Sequence, residues 1–171
     1  MSQQPDTRQA FVLIVSFMFL ALAYLPLHAF AALIVPATQE FGSGRGNAAI
    51  VVSLYWIVRA VTAPVMGMAT EHIGAIRLQI IGGLTLAVAL ITASRTTSLP
   101  GLYTTYGLGV ALSSGAMADV PTFALLRSWF SRRLGAALGI ASIGMGAGLI
   151  VMPLITVTVD TLGWRETIFR L

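Results

Sequence analysis

An uncharged run over residues 134–159 is the feature that most restricts how this chain can fold. The run contains no ionisable side chain and is longer than the roughly 20 apolar residues that a helix needs to cross a bilayer. Trp129, Phe130, Arg132 and Arg133 precede it. Arginine is retained on the cytoplasmic side of a membrane, where aromatic rings lie at headgroup depth. The sequence therefore predicts a membrane crossing that starts at the cytoplasmic surface.

The composition of the whole chain also indicates a membrane protein. Hydrophobic residues make up 57% of the sequence and charged residues 9%, whereas soluble domains carry about 25% charged residues. The net charge is +4, but the arginines are scattered at the ends of apolar segments. Topology-setting charge explains them better than a nucleic-acid surface does. Cysteine is absent, which excludes disulfides and thiolate metal sites.

The motifs of soluble enzymes are missing from the sequence. His28 and His72 are the two histidines, and they are not spaced as metal ligands. Neither a Walker loop nor a nucleophile elbow is present. We therefore expect no enzymatic activity, no metal and no cofactor.

The hydropathy pattern predicts an all-α membrane protein with five transmembrane helices and the start of a sixth. The predicted spans are 10–35, 48–69, 78–94, 102–126 and 134–159, after a polar cytoplasmic tail at residues 1–9. The first span is too long for the apolar core of a signal peptide, so we interpret it as retained. Pro26 predicts a kink in it and Pro36 its end. The residues from Glu166 onward look like the first turns of a helix that is cut off.

The distribution of arginines predicts the orientation of the chain. With a cytoplasmic amino terminus, the inner segments hold Arg8, Arg77, Arg127, Arg132 and Arg133, and the outer loops hold Arg45, Arg95 and Arg165. Because positive charge is enriched inside, we expect an integral multi-pass protein of the plasma or inner membrane with its amino terminus in the cytoplasm.

Small residues form two rows along the fifth predicted helix. One row is Gly135, Gly139, Ser142 and Gly146, and the other is Ala137, Ala141, Gly144 and Gly148. Small residues let two helix backbones approach closely in lipid. The pattern predicts close packing on two sides of this helix. Pro153 removes one backbone hydrogen bond, which a neighbour or a water-lined cavity must replace.

Two charged residues fall inside predicted spans. Arg59 lies near the middle of the second span, and Asp119 is the only acid within any span. Burying an arginine costs at least about 2.5 kcal/mol on insertion scales, so Arg59 needs a partner. We expect an ion pair between Arg59 and Asp119. It is either a substrate or proton-coupling site or a neutral tie between two helices.

His28 and Tyr24 are one turn apart on the first predicted helix and are further candidates for substrate binding or coupling. A lone histidine on an apolar helix is more often a packing residue than a proton carrier. Tyr55, Trp56, Tyr103 and Tyr106 lie near the outer ends of two spans, and an aromatic belt accounts for them without a ligand.

The segment around the fifth helix resembles the major facilitator superfamily, in particular its branch of monocarboxylate transporters and oxalate/formate antiporters. The resemblance lies in Trp129, Phe130, Arg132, Arg133, Gly135, Gly139, Gly144, Gly148, Pro153, Gly163, Trp164 and Arg165. The connection after the first helix is also similar, through Phe41, Gly42 and Arg45.

A second resemblance lies between the second and third helices. The segment GMATEHIGAIR is similar to the signature loop of the superfamily through Gly67, Glu71, Gly74 and Arg77. In the family this loop clamps the cytoplasmic face and helps to gate the conformational switch. The usual aspartate is Glu71 here, the usual arginine is His72 and one basic position is Ile76, so the strength of the clamp does not follow from the resemblance.

The resemblance implies a fold and a function for the whole chain. Family members have about twelve helices in two halves, with the substrate held between the halves near the midplane. This chain matches the amino-terminal half only. The resemblance implies a secondary transporter of small organic anions such as monocarboxylates, with or without coupled protons, which works by alternating access with a carboxy-terminal half or another copy of the chain. A major facilitator porter for another solute class, such as drug, sugar or metabolite efflux, and a non-transporting truncated membrane partner are the alternatives.

Overall fold

The computed structural model describes residues 7–42 and 45–171, without the side chain of Arg45. The chain forms helices α1 (Thr7–Glu40), α2 (Arg45–Ile73), α3 (Ala75–Ser94), α4 (Leu99–Trp129), α5 (Leu134–Leu162) and α6 (Trp164–Arg170). Among the described residues, the five helices α1 to α5 are long and apolar enough to cross a membrane. The prediction of an all-α membrane protein with five spans and a short sixth helix is confirmed.

The first helix is longer than predicted at both ends. It begins at Thr7 rather than at residue 10, and it continues through Pro36 to Glu40. The predicted tail at residues 1–9 lies mostly outside the described residues. Pro36 does not end the helix because a proline removes only one backbone donor. The Thr38 hydroxyl donates to the carbonyls of Ile34 and Val35, at 2.8 and 3.1 Å, so the helix remains hydrogen-bonded around the proline.

Two helix junctions are single glycines with positive φ. Gly74 (φ 87°) joins α2 to α3, and Gly163 (φ 83°) joins α5 to α6. Only glycine adopts this backbone conformation at little cost, so the chain reverses there without a longer loop. The predicted spans at 48–69 and 78–94 left a connection between them, but the structure continues both helices into it and only Gly74 is non-helical.

Helix α4 is irregular in a way that the hydropathy pattern did not predict. It begins as an α-helix (Leu99–Leu102), widens into a π-helical segment (Tyr103–Val110) and returns to α-helix (Ala111–Met117). At Ala118 the dihedrals (φ −87°, ψ −127°) leave the helical region, and a final segment runs over Asp119–Trp129. We call this last part the terminal segment of α4. Irregular backbone inside a span is tolerated only where protein or water can satisfy it.

Helix α5 packs against α1 along one row of small residues. A Cβ added to Gly144 would come within 2.5 Å of the Phe17 carbonyl oxygen, and one added to Gly148 within 2.8 Å of the His28 ring. Ala137 and Ala141 are buried in the same row. The predicted close packing on a second side is not met within the described part of the chain. A Cβ on Gly135, Gly139 or Gly146 would meet no atom within 4 Å.

A polar cluster lies at the end of the bundle opposite Thr7 and links three segments of the chain. The Trp164 indole donates to one Glu40 carboxylate oxygen at 2.6 Å, and Arg165 pairs with the other. Arg165 also donates to the Thr96 carbonyl at 3.0 Å and lies 4.3 Å from the Trp164 ring centre. The cluster therefore connects the end of α1, the α3–α4 connection and the start of α6.

Candidate functional site

Arg59 and Asp119 form an ion pair between α2 and α4. A guanidinium nitrogen of Arg59 lies 2.8 Å from a carboxylate oxygen of Asp119, and the two side chains are 8% and 31% exposed. An arginine inside an apolar span needs such a partner, since an unpaired charge there costs several kcal/mol. The structure thus brings together the two charged residues that the sequence singled out.

The position of Asp119 follows from the break in α4. Asp119 is the first residue of the terminal segment, directly after the non-helical Ala118. Pro121 cannot donate a backbone hydrogen bond to the preceding turn, and this favours a break at this point. The break changes the helical register. A regular helix through residues 102–126 would therefore give the wrong direction for the Asp119 carboxylate.

Tyr24 on α1 completes the ion pair from a third helix. Its hydroxyl lies 3.0 Å from both carboxylate oxygens of Asp119, so its single hydrogen can be donated to either. The Arg59 guanidinium carbon lies 4.8 Å from the centre of the Tyr24 ring, a distance typical of a cation–π contact. The arrangement joins α1, α2 and α4 at one polar point inside the bundle.

Tyr55 extends the polar network along α2, from Arg59 toward the amino-terminal end of that helix. It lies one turn before Arg59 on α2, receives a long 3.4 Å hydrogen bond from that side chain, and lies 3.0 Å from the Ser114 hydroxyl on α4. Tyr55 and Tyr106 are only 2% and 1% exposed. Their interpretation as members of an aromatic belt is therefore wrong. Belt residues contact the membrane interface, whereas these two rings are buried in the protein.

His28 does not reach the ion pair. Its Nε2 lies 2.8 Å from the Met145 carbonyl oxygen on α5. Since a carbonyl can only accept, this nitrogen carries a hydrogen. The His28 and Tyr24 rings are 6.4 Å apart between centres. The geometry describes a packing contact between α1 and α5, and a coupling role for His28 stays a prediction.

A cavity of about 260 Å³ opens beside the ion pair. Its walls come from α2 and α4, and both Arg59 and Asp119 reach its surface. The lining residues are Trp56, Arg59, Ala60, Ala63, Gly115, Asp119 and Val120. The walls are apolar apart from the charged pair and the indole, a composition typical of small-molecule sites.

Comparison with known proteins places this architecture. The model of the Major Facilitator Superfamily matches residues 8–169. The chain belongs to the major facilitator superfamily. The resemblance to this superfamily noted in the sequence is thereby confirmed, and the matched family is one of transporters rather than of enzymes.

Curated relatives of this major facilitator chain are monocarboxylate transporters. It is 29% identical over 132 residues to monocarboxylate transporter 14 of Mus musculus, which covers 77% of this chain and 26% of the relative. It is 31% identical over 140 residues to monocarboxylate transporter 9 of Gallus gallus (82% and 27%). It is 26% identical over 166 residues to monocarboxylate transporter 13 of Rattus norvegicus (96% and 39%). The chain therefore spans only about a quarter to two fifths of the length of these relatives.

The predicted gating-loop residues lie at the α2–α3 junction of the major facilitator chain. A Cβ on Gly67 would lie 3.9 Å from the Val120 side chain, and Gly74 forms the turn itself. Glu71 and Arg77 are exposed. The salt bridges within residues 7–42 and 45–171 do not include either of them. Their gating role stays a prediction.

Sequence reasoning missed Tyr55 and Ser114 as parts of the site. The spacing of Tyr55 and Arg59 on one helical face was a usable signal, because residues four apart are neighbours on a helix. Ser114 offered no comparable signal, since serine is common in transmembrane helices and its contact depends on how α2 meets α4.

Proposed function

We propose that this chain forms the amino-terminal half of a secondary transporter that moves small organic anions, such as monocarboxylates, by alternating access. The observation that carries the proposal is the Arg59–Asp119 pair, which lies inside the membrane-spanning bundle at the wall of a cavity. Paired ionisable groups at this depth are expensive and typically mark substrate or ion pathways. The names of the relatives support monocarboxylates as the substrate class.

Arg59 is the group that we expect to bind the substrate. A carboxylate accepts two parallel hydrogen bonds from a guanidinium, which gives this contact both strength and direction. The Arg59 contacts with Tyr24 and Tyr55 lie at 3.4 Å and are longer than a strong hydrogen bond. The ion pair with Asp119 at 2.8 Å is thus the strongest contact of Arg59. An incoming carboxylate would compete with Asp119 for the same cation.

This competition offers a route to proton coupling. When a substrate carboxylate pairs with Arg59, a second negative charge on Asp119 beside it is unfavourable, because like charges repel strongly where water is scarce. Protonation of Asp119 removes that charge. One proton and one monoanion then enter together, and the site keeps the same total charge before and after loading. Tyr24 would keep its hydrogen bond to the protonated carboxyl and hold it in place.

The proposal is tested by uptake of radiolabelled lactate into proteoliposomes. The 171-residue chain is reconstituted alone and as a longer polypeptide that supplies a carboxy-terminal half. We expect an inward proton gradient to drive uptake by the longer polypeptide. Uptake by the chain alone would show that copies of it suffice. Failure of both forms with lactate, but uptake of a sugar or a drug, would favour a porter for another solute class, and failure with every solute would favour a non-transporting partner.

A charge-free double variant separates transport from folding. In Arg59→Met/Asp119→Leu no buried charge is left uncompensated, so the protein should fold with the yield of the parent. Uptake should nevertheless be lost, because the carboxylate has no cation to bind. Glu166→Gln/Arg170→Gln removes an exposed ion pair on α6 and is the matched control, with uptake unchanged. Full uptake by the first variant would refute the role of the pair.

A further inference from the structure

Gln79 on α3 is fully buried and only half satisfied. Its side-chain nitrogen donates to the Thr122 hydroxyl at 2.7 Å. Its carbonyl oxygen, Oε1, has no hydrogen-bond partner within residues 7–42 and 45–171, and the residue is 0% exposed. The Thr122 hydroxyl donates toward the Met117 carbonyl, so its oxygen accepts from the Gln79 nitrogen and the Gln79 carbonyl oxygen is the unpaired end of the amide. A buried amide oxygen left without a partner is unfavourable, because it loses its hydration and gains no bond in exchange.

A second weakly satisfied acceptor lies at the break in α4. In a continuous helix the Met117 carbonyl would receive the backbone N–H of residue 121, but that residue is Pro121 and has none. The Thr122 hydroxyl is 3.5 Å from this carbonyl, which is at the outer limit of a hydrogen bond. Because residue 121 is proline, this weak contact with the Thr122 hydroxyl stands in place of the helical hydrogen bond to the Met117 carbonyl.

The two acceptors belong to one contact between α3 and α4. Gly82 lies one turn after Gln79 on α3, and a Cβ on it would be 3.0 Å from both the Met117 nitrogen and the Ser113 oxygen. The backbones touch there, and Thr122 links Gln79 to the other side of the break. The terminal segment starts after Ala118 without a side-chain cap, so its first N–H groups also need acceptors.

We propose that one buried water molecule occupies this point and donates to Gln79 Oε1 and to the Met117 carbonyl. A water has two hydrogens for these two acceptors, and its oxygen can accept from the first amide of the terminal segment. Buried waters in proteins typically make about three such bonds. Water fits better than a cation because Gln79, Thr122 and Met117 are neutral. Asp119, the nearest acid in the sequence, is already engaged by Arg59 and Tyr24.

This water makes Gln79 a positioning residue for Asp119, and this second step rests on the proposed transport function. The water and Gln79 hold the break in its present form, and the break sets the direction of the Asp119 carboxylate. Gln79 itself lies on α3, away from the residues that line the cavity. Its loss should therefore change the direction of the Asp119 carboxylate without removing a substrate contact.

Hydroxyl-radical footprinting with synchrotron X-rays tests the water directly. Radicals form from water, so oxidation of a buried methionine reports water near its side chain. The Met117 side chain also lines a cavity with Gly83 and Leu86, so its oxidation is compared between the parent and the variants below. Met117 is 3% exposed. We expect the purified full chain to oxidise at Met117 on the millisecond exposures used for bound waters. Absence of this oxidation would overturn the proposal.

Two variants approach the same water from opposite sides. Gln79→Leu removes one acceptor, and Pro121→Ala returns a backbone donor to the Met117 carbonyl. Both should lower the oxidation of Met117, while Thr85→Val on α3, whose hydroxyl bonds to its own helix, should leave it unchanged. Oxidation of Met117 at the level of the parent in both Gln79→Leu and Pro121→Ala would refute the site. If Gln79→Leu fails to fold, Pro121→Ala alone decides.

The positioning role has its own measurement. In the longer polypeptide, Gln79→Leu should shift the pH dependence of lactate uptake, whereas Thr85→Val should not. If Met117 oxidation falls but the pH profile of uptake is unchanged, Gln79 binds the water but does not position Asp119. Because footprinting needs no substrate, its result stands if the transporter proposal fails, and the two failures can be told apart.

Discussion

Arg59 and Arg165 each pair with one carboxylate, but the two pairs have opposite surroundings. Arg59 and Asp119 are 8% and 31% exposed inside the bundle, whereas Arg165 and Glu40 are 36% and 45% exposed at its end. Both arginines also lie near aromatic rings, at 4.8 Å from Tyr24 and 4.3 Å from Trp164. The local chemistry is thus nearly the same, and burial is the main difference.

The difference teaches which pair can carry function. A surface ion pair contributes between about 0 and 1 kcal/mol, since water solvates each partner well on its own. Breaking a buried pair by removing one partner costs about 3–5 kcal/mol, because the remaining charge is left without compensation. A ligand that replaces one partner can therefore be bound strongly at Arg59 and hardly at all at Arg165. The exposed cluster instead ties three connections together.

The largest expected effect is that of Asp119→Asn. This change leaves Arg59 charged inside the bundle, and we expect the free energy of unfolding to fall by about 3 kcal/mol or more. Thermal unfolding in detergent and the yield of monodisperse protein measure the loss. Arg59→Met/Asp119→Leu should restore most of the stability without restoring uptake. Parent-like stability of Asp119→Asn would show that water reaches Arg59 freely and would remove the contrast between the two pairs.

A smaller effect is expected for Tyr24→Phe. The phenylalanine keeps the ring beside Arg59 and removes the hydroxyl that donates to Asp119. Hydrogen bonds to charged groups contribute about 1.5–3 kcal/mol, so we expect a loss near the lower end of that range. Tyr103→Phe, at a half-buried tyrosine outside the network, is the control. Equal unfolding temperatures for the two variants would mean that the Tyr24 hydroxyl adds nothing to the pair.

Glu40→Gln should change the stability less again. The amide can still accept a hydrogen bond from Trp164, and the lost ion pair with Arg165 is exposed, so we expect a loss below about 1 kcal/mol. The same unfolding measurement applies. A loss as large as that of Asp119→Asn would show that the cluster at the end of the bundle holds the helices as strongly as the buried pair.

The smallest effect is the response to salt. Raising the ionic strength from about 0.1 to about 1 M shortens the screening length from roughly 10 to roughly 3 Å. The stability difference between the parent and Glu40→Gln should shrink, while the difference between the parent and Asp119→Asn should remain. Parallel unfolding series at the two salt concentrations measure both differences. Equal shrinkage would indicate that the two pairs are equally open to solvent.

Much of the candidate site could be predicted from the free-energy cost of placing a charge in an apolar span. A charged residue in an apolar span is so unfavourable that its partner can be sought among the few other charges in the spans, and this identified Asp119 for Arg59. Tyr55 could not be assigned this way. A tyrosine near the end of a span is compatible with a membrane interface or with a buried hydrogen bond, and the choice depends on whether another helix covers it.

The two small-residue rows of α5 show the same limit. Both rows permit close packing, since neither presents a bulky side chain. The row with Gly144 meets α1, whereas the row with Gly135, Gly139 and Gly146 meets no atom of the described residues. A sequence pattern indicates which helix surfaces permit close packing, and the fold decides which of these surfaces another helix contacts.

The sequence by itself determined the membrane class, the number of spans and the need of Arg59 for an acidic partner. These depend on the free energy of placing apolar and charged groups in lipid, which is a property of each segment. The tertiary structure decided the break at Ala118, the burial of Tyr55 and Tyr106, and the tie from Arg165 to Glu40 and Thr96. Each of these requires residues far apart in the chain to meet, and that is fixed only when the helices pack.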